Sequence, residues 1–316
     1  MAETQPQTLR PYYKEDIDFK ALAAQDEDFA ALLASNDGRI DWQDPLALQQ
    51  LTRSLLARDF NLTLTLPPDR LCPPVPVRWN YIRWLHDLLA TTDPSTTTTL
   101  KPTKPTHPLK GLDIGTGASA IYALLACAST ATTTMHATDI DPHSLHHAQR
   151  NIAANALSAR IKLHASPSPT SPLIPEETLP LSFTVCNPPF YASAADHARA
   201  TASKTHPPSA VCSGAPNEML CAGGDAGFAL RILAESLRLR ERVAWYSCML
   251  GRLASLRSVV EALRAEGVGN YAVANLAGGR KTVRWAVAWS FGDARPAGWV
   301  GRFGGGGGGL GPVGVE

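Results

Sequence analysis

Apolar positions in the first ninety residues recur at helical spacing. After Asp18 come Phe19, Leu22, Phe29, Leu32 and Leu33, one face of an amphipathic helix that stops at the Asn36, Asp37, Gly38 turn. Asp44 followed by Pro45 opens a second helix, whose stripe is Leu48, Leu51, Leu55 and Leu56. Residues 62–66, LTLTL, alternate strictly and predict a short strand. After a proline cluster, residues 78–89 return to helical spacing with a dense aromatic face. From residue 109 the pattern changes to short apolar runs separated by longer helical segments, the signature of a parallel sheet with helical crossovers. Seven strands are predicted, at 111–114, 135–138, 161–164, 181–186, 243–249, 271–275 and 285–291. Helices fit at 119–128, 142–156, 225–239 and 253–266, the last closed by Gly267.

Two stretches resist this patterning. Residues 91–108, rich in Thr, Pro and Lys, read as a flexible linker, and the six glycines at 304–309 place a disordered tail in 296–316. The chain therefore divides into a helical extension at 1–90, the linker, an α/β domain at 109–295 and the tail. With 316 residues and 44% hydrophobic content it can bury a full core, which excludes a disulfide-stapled miniprotein. The six cysteines (72, 127, 186, 212, 221, 248) form no CxxC pair and read as reduced core thiols; no metal is expected. The N-terminus has no apolar leader and the longest apolar run, 121–128, is too short to span a bilayer, so an intracellular protein without a membrane partner is expected. The formal charge of +1 conceals an uneven distribution, −4 over 1–90, −1 over 91–196 and +6 over 197–316. The basic last third is a candidate nucleic-acid face.

Candidate chemistry begins at DIGTGAS, residues 113–119, where a predicted strand meets a helix. Gly115 and Gly117 allow a sharp turn and close approach of a ligand to helix N–H groups. Ala120 stands where the dinucleotide fingerprint needs its third glycine, which disfavours pyrophosphate. Asp139, 24 residues after Gly115, ends the next predicted strand, where a carboxylate can accept both hydroxyls of a ribose. The pair describes an adenosine-type cofactor at the switch point of a doubly wound sheet. NPPF, residues 187–190, ends the fourth predicted strand and is stiffened by its two prolines. The carbonyls of Asn187 and Pro188 can both accept from one amino group. An exocyclic or amide NH2 is a poor nucleophile because its lone pair is delocalised; two acceptors favour a pyramidal nitrogen with its lone pair aimed at an electrophilic methyl. Phe190 can stack on an unstacked base.

NPPF together with DWQDP (41–45), LTRSLL (51–56), PVPVRWNYIRW (74–84), GLDIGTGAS (111–119), CNPPF (186–190), WYSCMLG (245–251) and RWAVAWSF (284–291) resembles the methyltransferase-like protein 16 family, from about Tyr13 to Phe291. The resemblance implies a Rossmann-like class I S-adenosylmethionine-dependent methyltransferase, a seven-stranded, mostly parallel sheet with helices on both faces and a helical N-terminal extension. That family methylates N6 of adenosine in RNA, notably U6 small nuclear RNA and, in animals, hairpins of a methionine adenosyltransferase mRNA; a bacterial branch acts on 23S ribosomal RNA. Carried over to this chain, Arg78 pairs with the cofactor carboxylate, Gly115 and Ser119 contact its methionine part, Asp139 holds the ribose and Thr170 lies on the adenine side. Asn187, Pro188, Pro189 and Phe190 form the catalytic target-amine site, Asn187 also touching the cofactor. The chain departs from the family in having Asp rather than Glu at 139, and in a loop, 191–219, with only Arg199, Lys204, His197 and His206 where the family is arginine-rich.

The implied reaction is direct displacement, the adenosine N6 attacking the sulfonium methyl in line with no prior general base. RNA, U6 small nuclear RNA or another structured RNA, is the expected partner, with the nucleus, or else the cytoplasm, as the place of action. Candidate phosphate contacts are Arg10 and Lys14, then Arg238, Arg240, Arg242, Arg252, Arg280, Lys281 and Arg284, the densest cluster being 280–284. Two other readings remain open on the sequence: a glutamine-amide protein methyltransferase, which also uses Asn-Pro-Pro-aromatic, and an RNA-binding protein with a vestigial cofactor fold.

Overall fold

A computed structural model describes residues 9–93, 107–202, 214–277 and 283–304. Four helices come first, α1 (Phe19–Ala23), α2 (Glu27–Ala34), α3 (Pro45–Phe60) and α4 (Val75–Thr92). The α/β part follows: β1 (Lys110–Ile114), α5 (Ile121–Ser129), β2 (Thr134–Asp139), α6 (Pro142–Ala154), β3 (Ile161–Ala165), β4 (Leu181–Cys186), α7 (Ala194–Ala202), α8 (Pro216–Met219), α9 (Gly224–Leu239), β5 (Val243–Leu250), α10 (Leu253–Ala265), β6 (Tyr271–Asn275), β7 (Trp285–Trp289), α11 (Gly298–Gly301) and β8 (Arg302–Gly304).

All seven expected strands form, and β8 makes eight, in the order β3-β2-β1-β4-β5-β7-β6-β8. Strands β1 to β5 run parallel to one another, β7 is antiparallel to both β5 and β6, and β8 is parallel to β6. The order reverses between β1 and β4, which leaves a crevice at their carboxyl ends. Side-chain alternation separates two cores. Met135, Ala137, Phe183, Val185, Trp245 and Met249 pack against α3 to α6, while Leu112, Ile114, Cys186, Tyr246 and Cys248 pack against α9 and α10.

Local chemistry explains where the pattern misleads. The single helix expected through 19–33 is two, because the Asp26 side chain accepts the N–H of Phe29 at 2.8 Å and caps a new start. Residues 62–66 are no strand. The N–H groups of Thr63 and Thr65 donate instead to the side chains of Asn155, which caps α6, and Asn151 within it, at 2.8 and 2.9 Å. The stretch 296–316, expected as a disordered tail, contains α11 and β8 before the described residues end at 304; most of the glycine run lies outside them. Of the expected linker, 94–106 lies outside the described residues, and α4 takes its first two positions.

Helix α4 is the largest departure from the pattern, which gave it one aromatic face. It is buried on all sides from Val75 to Leu88, charged residues included. Arg83 pairs with Asp87 one turn on, and Asp87 also accepts from Tyr12. Asn80 accepts from the N–H of Tyr13 at 2.8 Å and donates to the carbonyls of Tyr13 and Ala277 at 2.9 and 2.8 Å. Tyr81 bonds Ser247 on β5 at 2.7 Å, and the Trp84 indole donates to the Val300 carbonyl at 3.0 Å. His86 has no partner for either ring nitrogen, and burial pushes its pKa down to about 3, so it is a neutral core side chain. The N-terminal residues are therefore one layer of the domain rather than an appendage.

The five described cysteines are free thiols. Among the described residues, no helix is long and apolar enough to cross a membrane, and no group of three His, Cys, Asp or Glu side chains is placed to hold a metal ion.

Replacing Trp84 with Ala removes a fully buried side chain and frees the Val300 carbonyl. The expected cost is about 3–5 kcal/mol, read from urea unfolding of the wild type and the variant.

Candidate active site

Strand β1 ends in the glycine loop. Gly115 and Gly117 have φ of +72° and +62°, which other residues adopt only with strain. The N–H groups of Gly115 and Thr116 both donate to the Thr138 carbonyl, at 3.0 and 2.9 Å, so the loop is tied to β2. Nothing lies within 4 Å of where a Cβ on Gly115 would be, so this side of the loop is open. Asp139 accepts from the N–H of Gly117 at 2.8 Å with one oxygen and from that of Asp141 at 2.9 Å with the other. Burial is the largest influence on Asp139 and raises its pKa. Each oxygen retains an acceptor site. Ser119 is buried, its Oγ accepting the N–H of Ile121 at 3.3 Å.

Beneath the loop, Asp113 is fully buried. Thr116 Oγ1 donates to its Oδ2 at 2.7 Å, while its Oδ1 has no partner. Burial pushes this carboxyl up to about 7. Arg78 enters from the first turns of α4, 4% exposed, its Nη1 3.1 Å from Met249 Sδ and its guanidinium 5.6 Å from the Tyr122 ring. No carboxylate pairs with it among the described residues. A buried cation with no fixed anion fits an anionic ligand group.

NPPF leaves β4 beside this loop. Asn187 Oδ1 is buried and has no hydrogen-bond partner among the described residues, and Pro188 is buried. The turn is held from outside by residues 219–225. Tyr191 donates its N–H to Met219 O and accepts from Cys221 N, both at 3.0 Å. Gly224 and Gly251 let backbone approach Phe190, since a Cβ on them would lie 3.1 Å from the Phe190 carbonyl and 3.0 Å from its ring. Asp225, buried at the start of α9, accepts from Gly251 N and Ser255 Oγ, each at 2.7 Å, and so fixes the β5–α10 turn against the site. The Arg284 guanidinium lies 5.4 Å from the Phe190 ring, and that of Arg252 6.0 Å from the Tyr191 ring.

The structure thus gathers Asp139, Gly115, Gly117 and Ser119 on one loop system, with Arg78 reaching Met249 on β5 and Arg284 stacked on Phe190. Thr170 is exposed, its hydroxyl bonded to Ser168 at 2.9 Å. Arg10 is engaged within the N-terminal layer, paired with Asp59 at 2.9 Å and 4.4 Å from the Tyr13 ring. Lys14 is exposed. Arg242 pairs with Glu176 at 2.7 Å and Arg240 stacks on Phe291 at 4.8 Å; Arg238 and Arg252 are exposed. Arg280 and Lys281 lie outside the described residues. Sequence reading missed Asp225 and Arg70. Asp225 follows a glycine pair at a predicted helix start, a usable signal. Arg70 joins Asp141 at 2.7 Å across 71 residues, and no local pattern announces that.

A glycine loop at the switch point, an acidic end to β2 and a stiff Asn-Pro-Pro after β4 together define a Rossmann-like class I methyltransferase domain. Comparison with known proteins narrows the class. The chain matches the model of an RNA methyltransferase family over residues 1–293 and belongs to that family. It is 39% identical over 302 residues to RNA N(6)-adenosine-methyltransferase METTL16 of Mus musculus, covering 93% of this chain and 53% of that protein. It is 40% identical over 262 residues to U6 small nuclear RNA (adenine-(43)-N(6))-methyltransferase of Schizosaccharomyces pombe, covering 82% and 64%. The chain thus spans between half and two thirds of these relatives' length. Among solved structures it resembles the human METTL16 catalytic domain in complex with MAT2A 3′UTR hairpin 1, with TM-score 0.76, 34% identity and coverage of 91% and 96%. It also resembles the N-terminal domain of human METTL16 in complex with SAH, with TM-score 0.67, 34% identity and coverage of 88% and 95%.

The buried Asp113 carboxyl makes stability depend on pH. Its folded pKa of about 7 lies above the unfolded value, so its proton stabilises the fold fully below about pH 4, and this is lost as pH rises through 7. Urea unfolding of wild type and Asp113→Asn from pH 4 to 8 should show the wild type losing stability relative to the variant across that window. A difference independent of pH would place the titration elsewhere.

Proposed function

We propose that this chain transfers a methyl group from S-adenosylmethionine to N6 of an unstacked adenosine in structured RNA, with U6 small nuclear RNA as the substrate type. The observation that carries the reading is the Asn187 side-chain oxygen, buried and unpartnered in a turn that two prolines stiffen, on the strand next to the glycine loop. A buried carbonyl without a donor is costly, and an incoming amino group supplies one. The activities of the relatives and the RNA and SAH complexes of the structural neighbours support the same chemistry.

The residues present fit the cofactor. Arg78 would hold its carboxylate, the orphan Oδ1 of Asp113 fits its ammonium group, and Asp139 has acceptor capacity for ribose hydroxyls. The bound cofactor supplies an electrophilic methyl. Asn187 and the Pro188 carbonyl accept the two N–H bonds of the target amine and turn its lone pair toward that methyl. Phe190 offers a face to the base, and Arg284 beside it adds a cation for the adjoining phosphate or ring. Attack needs no prior base, because the amine proton becomes acidic only after the methyl is in place and can then pass to water. Rate enhancement rests on orientation and on acceptors fixed in advance. Lys14, Arg252, Arg280, Lys281 and Arg284 would position RNA through its phosphates, with salt-dependent affinity. Action on a U6-type RNA is compatible with the nucleus as the place of action, with the cytoplasm as the alternative.

Asn187→Ala should lower methyl transfer to a U6-type hairpin by at least about 100-fold, read as labelled methyladenosine after nuclease digestion. Its affinity for S-adenosylhomocysteine by calorimetry should stay within about threefold, because Arg78 and Asp139 remain. Full turnover by the variant, or label appearing in protein amide rather than RNA, would overturn the reading.

A further inference from the structure

We propose that Glu218 is a second ribose-holding residue, its free carboxylate oxygen accepting from a cofactor hydroxyl opposite Asp139. The inference rests on the cofactor reading above and adds a contact that neither the sequence motifs nor the glycine loop announces. Glu218 lies in α8, between the target-amine turn and α9. Its Oε2 is fully occupied in holding structure together, accepting the N–H of Leu71 at 3.1 Å and that of Ala215 at 2.8 Å. Its Oε1 has no hydrogen-bond partner among the described residues and lies 3.4 Å from where a Cβ on Gly117 would be.

That position is telling because Gly117 is also the residue whose N–H holds Asp139. Two carboxylates therefore flank one glycine of the loop, one from β2 and one from the covering segment. Burial acts against ionising either one, and the charge of Asp139 adds to this at Glu218. Arg70, whose charge acts on Glu218, is itself bonded to Asp69 and Asp141. Hydrogen-bond donors placed between the two carboxylates would relieve this, and a ribose brings two vicinal hydroxyls. Each carboxylate has acceptor capacity left, Asp139 after its two backbone bonds and Glu218 through Oε1. An open cleft of about 690 Å³ is lined by the chain neighbours of both carboxylates, Ile140 and Asp141 on one side and residues 214–217 on the other. A contact at Glu218 would also steady the amine site, because the residue after it, Met219, accepts the N–H of Tyr191.

Glu218→Gln separates this role from a structural one. Both structural bonds go to a single oxygen, so the amide oxygen can keep them and turn its NH2 toward the ribose. Calorimetry with two probes is decisive: S-adenosylhomocysteine, and 5′-methylthioadenosine, which keeps the ribose and lacks the amino acid. The expected result is about tenfold weaker binding of both probes with unchanged Tm, the loss of one charge-assisted hydrogen bond. Affinity within twofold of wild type for both probes overturns the proposal. A loss confined to S-adenosylhomocysteine overturns the ribose assignment, and a loss matched by the fall in Tm that Glu218→Ala produces assigns a purely structural role. A wild-type chain that binds neither probe would bring down the cofactor reading itself, and this inference with it.

Discussion

The burial of helix α4 is the constraint on which the rest of the site depends. Placing Arg78, Asn80, Arg83, His86 and Asp87 in a low-dielectric interior is costly unless each is matched. Four of the five leave no uncompensated charge among the described residues, although Arg83 Nε and both His86 ring nitrogens lack a hydrogen-bond partner there. Asn80 saturates its amide with backbone, Arg83 and Asp87 neutralise each other, and His86 stays uncharged. Arg78 is the exception, a cation whose neighbours are a sulfur and an aromatic face. What sets Arg78 apart is its charge: it is the cation of this helix with no carboxylate beside it among the described residues, which suits an anionic ligand group.

The same contrast recurs around the crevice. Thr116 satisfies one oxygen of Asp113 and leaves the other bare; the covering segment satisfies the Tyr191 backbone and leaves the Asn187 oxygen bare. The bare atoms are held by neighbours with no freedom of their own. Gly115 and Thr116 are tied to Thr138, Asp225 is committed to Gly251 and Ser255, and Arg70 is committed to Asp69 and Asp141. Fixed acceptors around an empty space are preorganised, so little reorganisation is left for the moment of reaction.

Sequence pattern revealed the sheet well because its strands are buried on both faces and flanked by turn residues, and the seven predicted runs became seven strands. Residues 62–66 failed because alternation of Leu and Thr satisfies any extended segment, and here Asn151 and Asn155 offered acceptors in place of a neighbouring strand. Helix α4 was legible as a helix and illegible as a core helix, since its charges suggested an exposed face and their partners, Tyr12 and Tyr13, lie far back in the chain. The glycine loop, Asp139 and NPPF could be read directly because each is a short motif with local stereochemical meaning. Glu218 and Arg70 act across 147 and 71 residues, at separations where period and spacing carry no signal, whereas Asp225, which acts across 26, had only the glycine pair before it as a local sign.

Charge shows how these scales combine. The total of +1 says nothing of partners, but the fold distributes it with purpose. Acidic groups gather at the crevice, with Asp113, Asp139 and Glu218 around one glycine loop, and the charges of Arg78 and Arg70 act on Asp113 and Glu218. A ligand that carries two cationic centres, several hydroxyls and one carboxylate is complementary to that set: the carboxylate answers Arg78 and the donors answer the acids. Arg252 and Arg284, by contrast, lie over the aromatic rings at the mouth of the amine turn. A polyanion held there is kept away from the acidic floor by the same charges that attract the cofactor to it, so two ligands of opposite sign can occupy adjoining sites without competing.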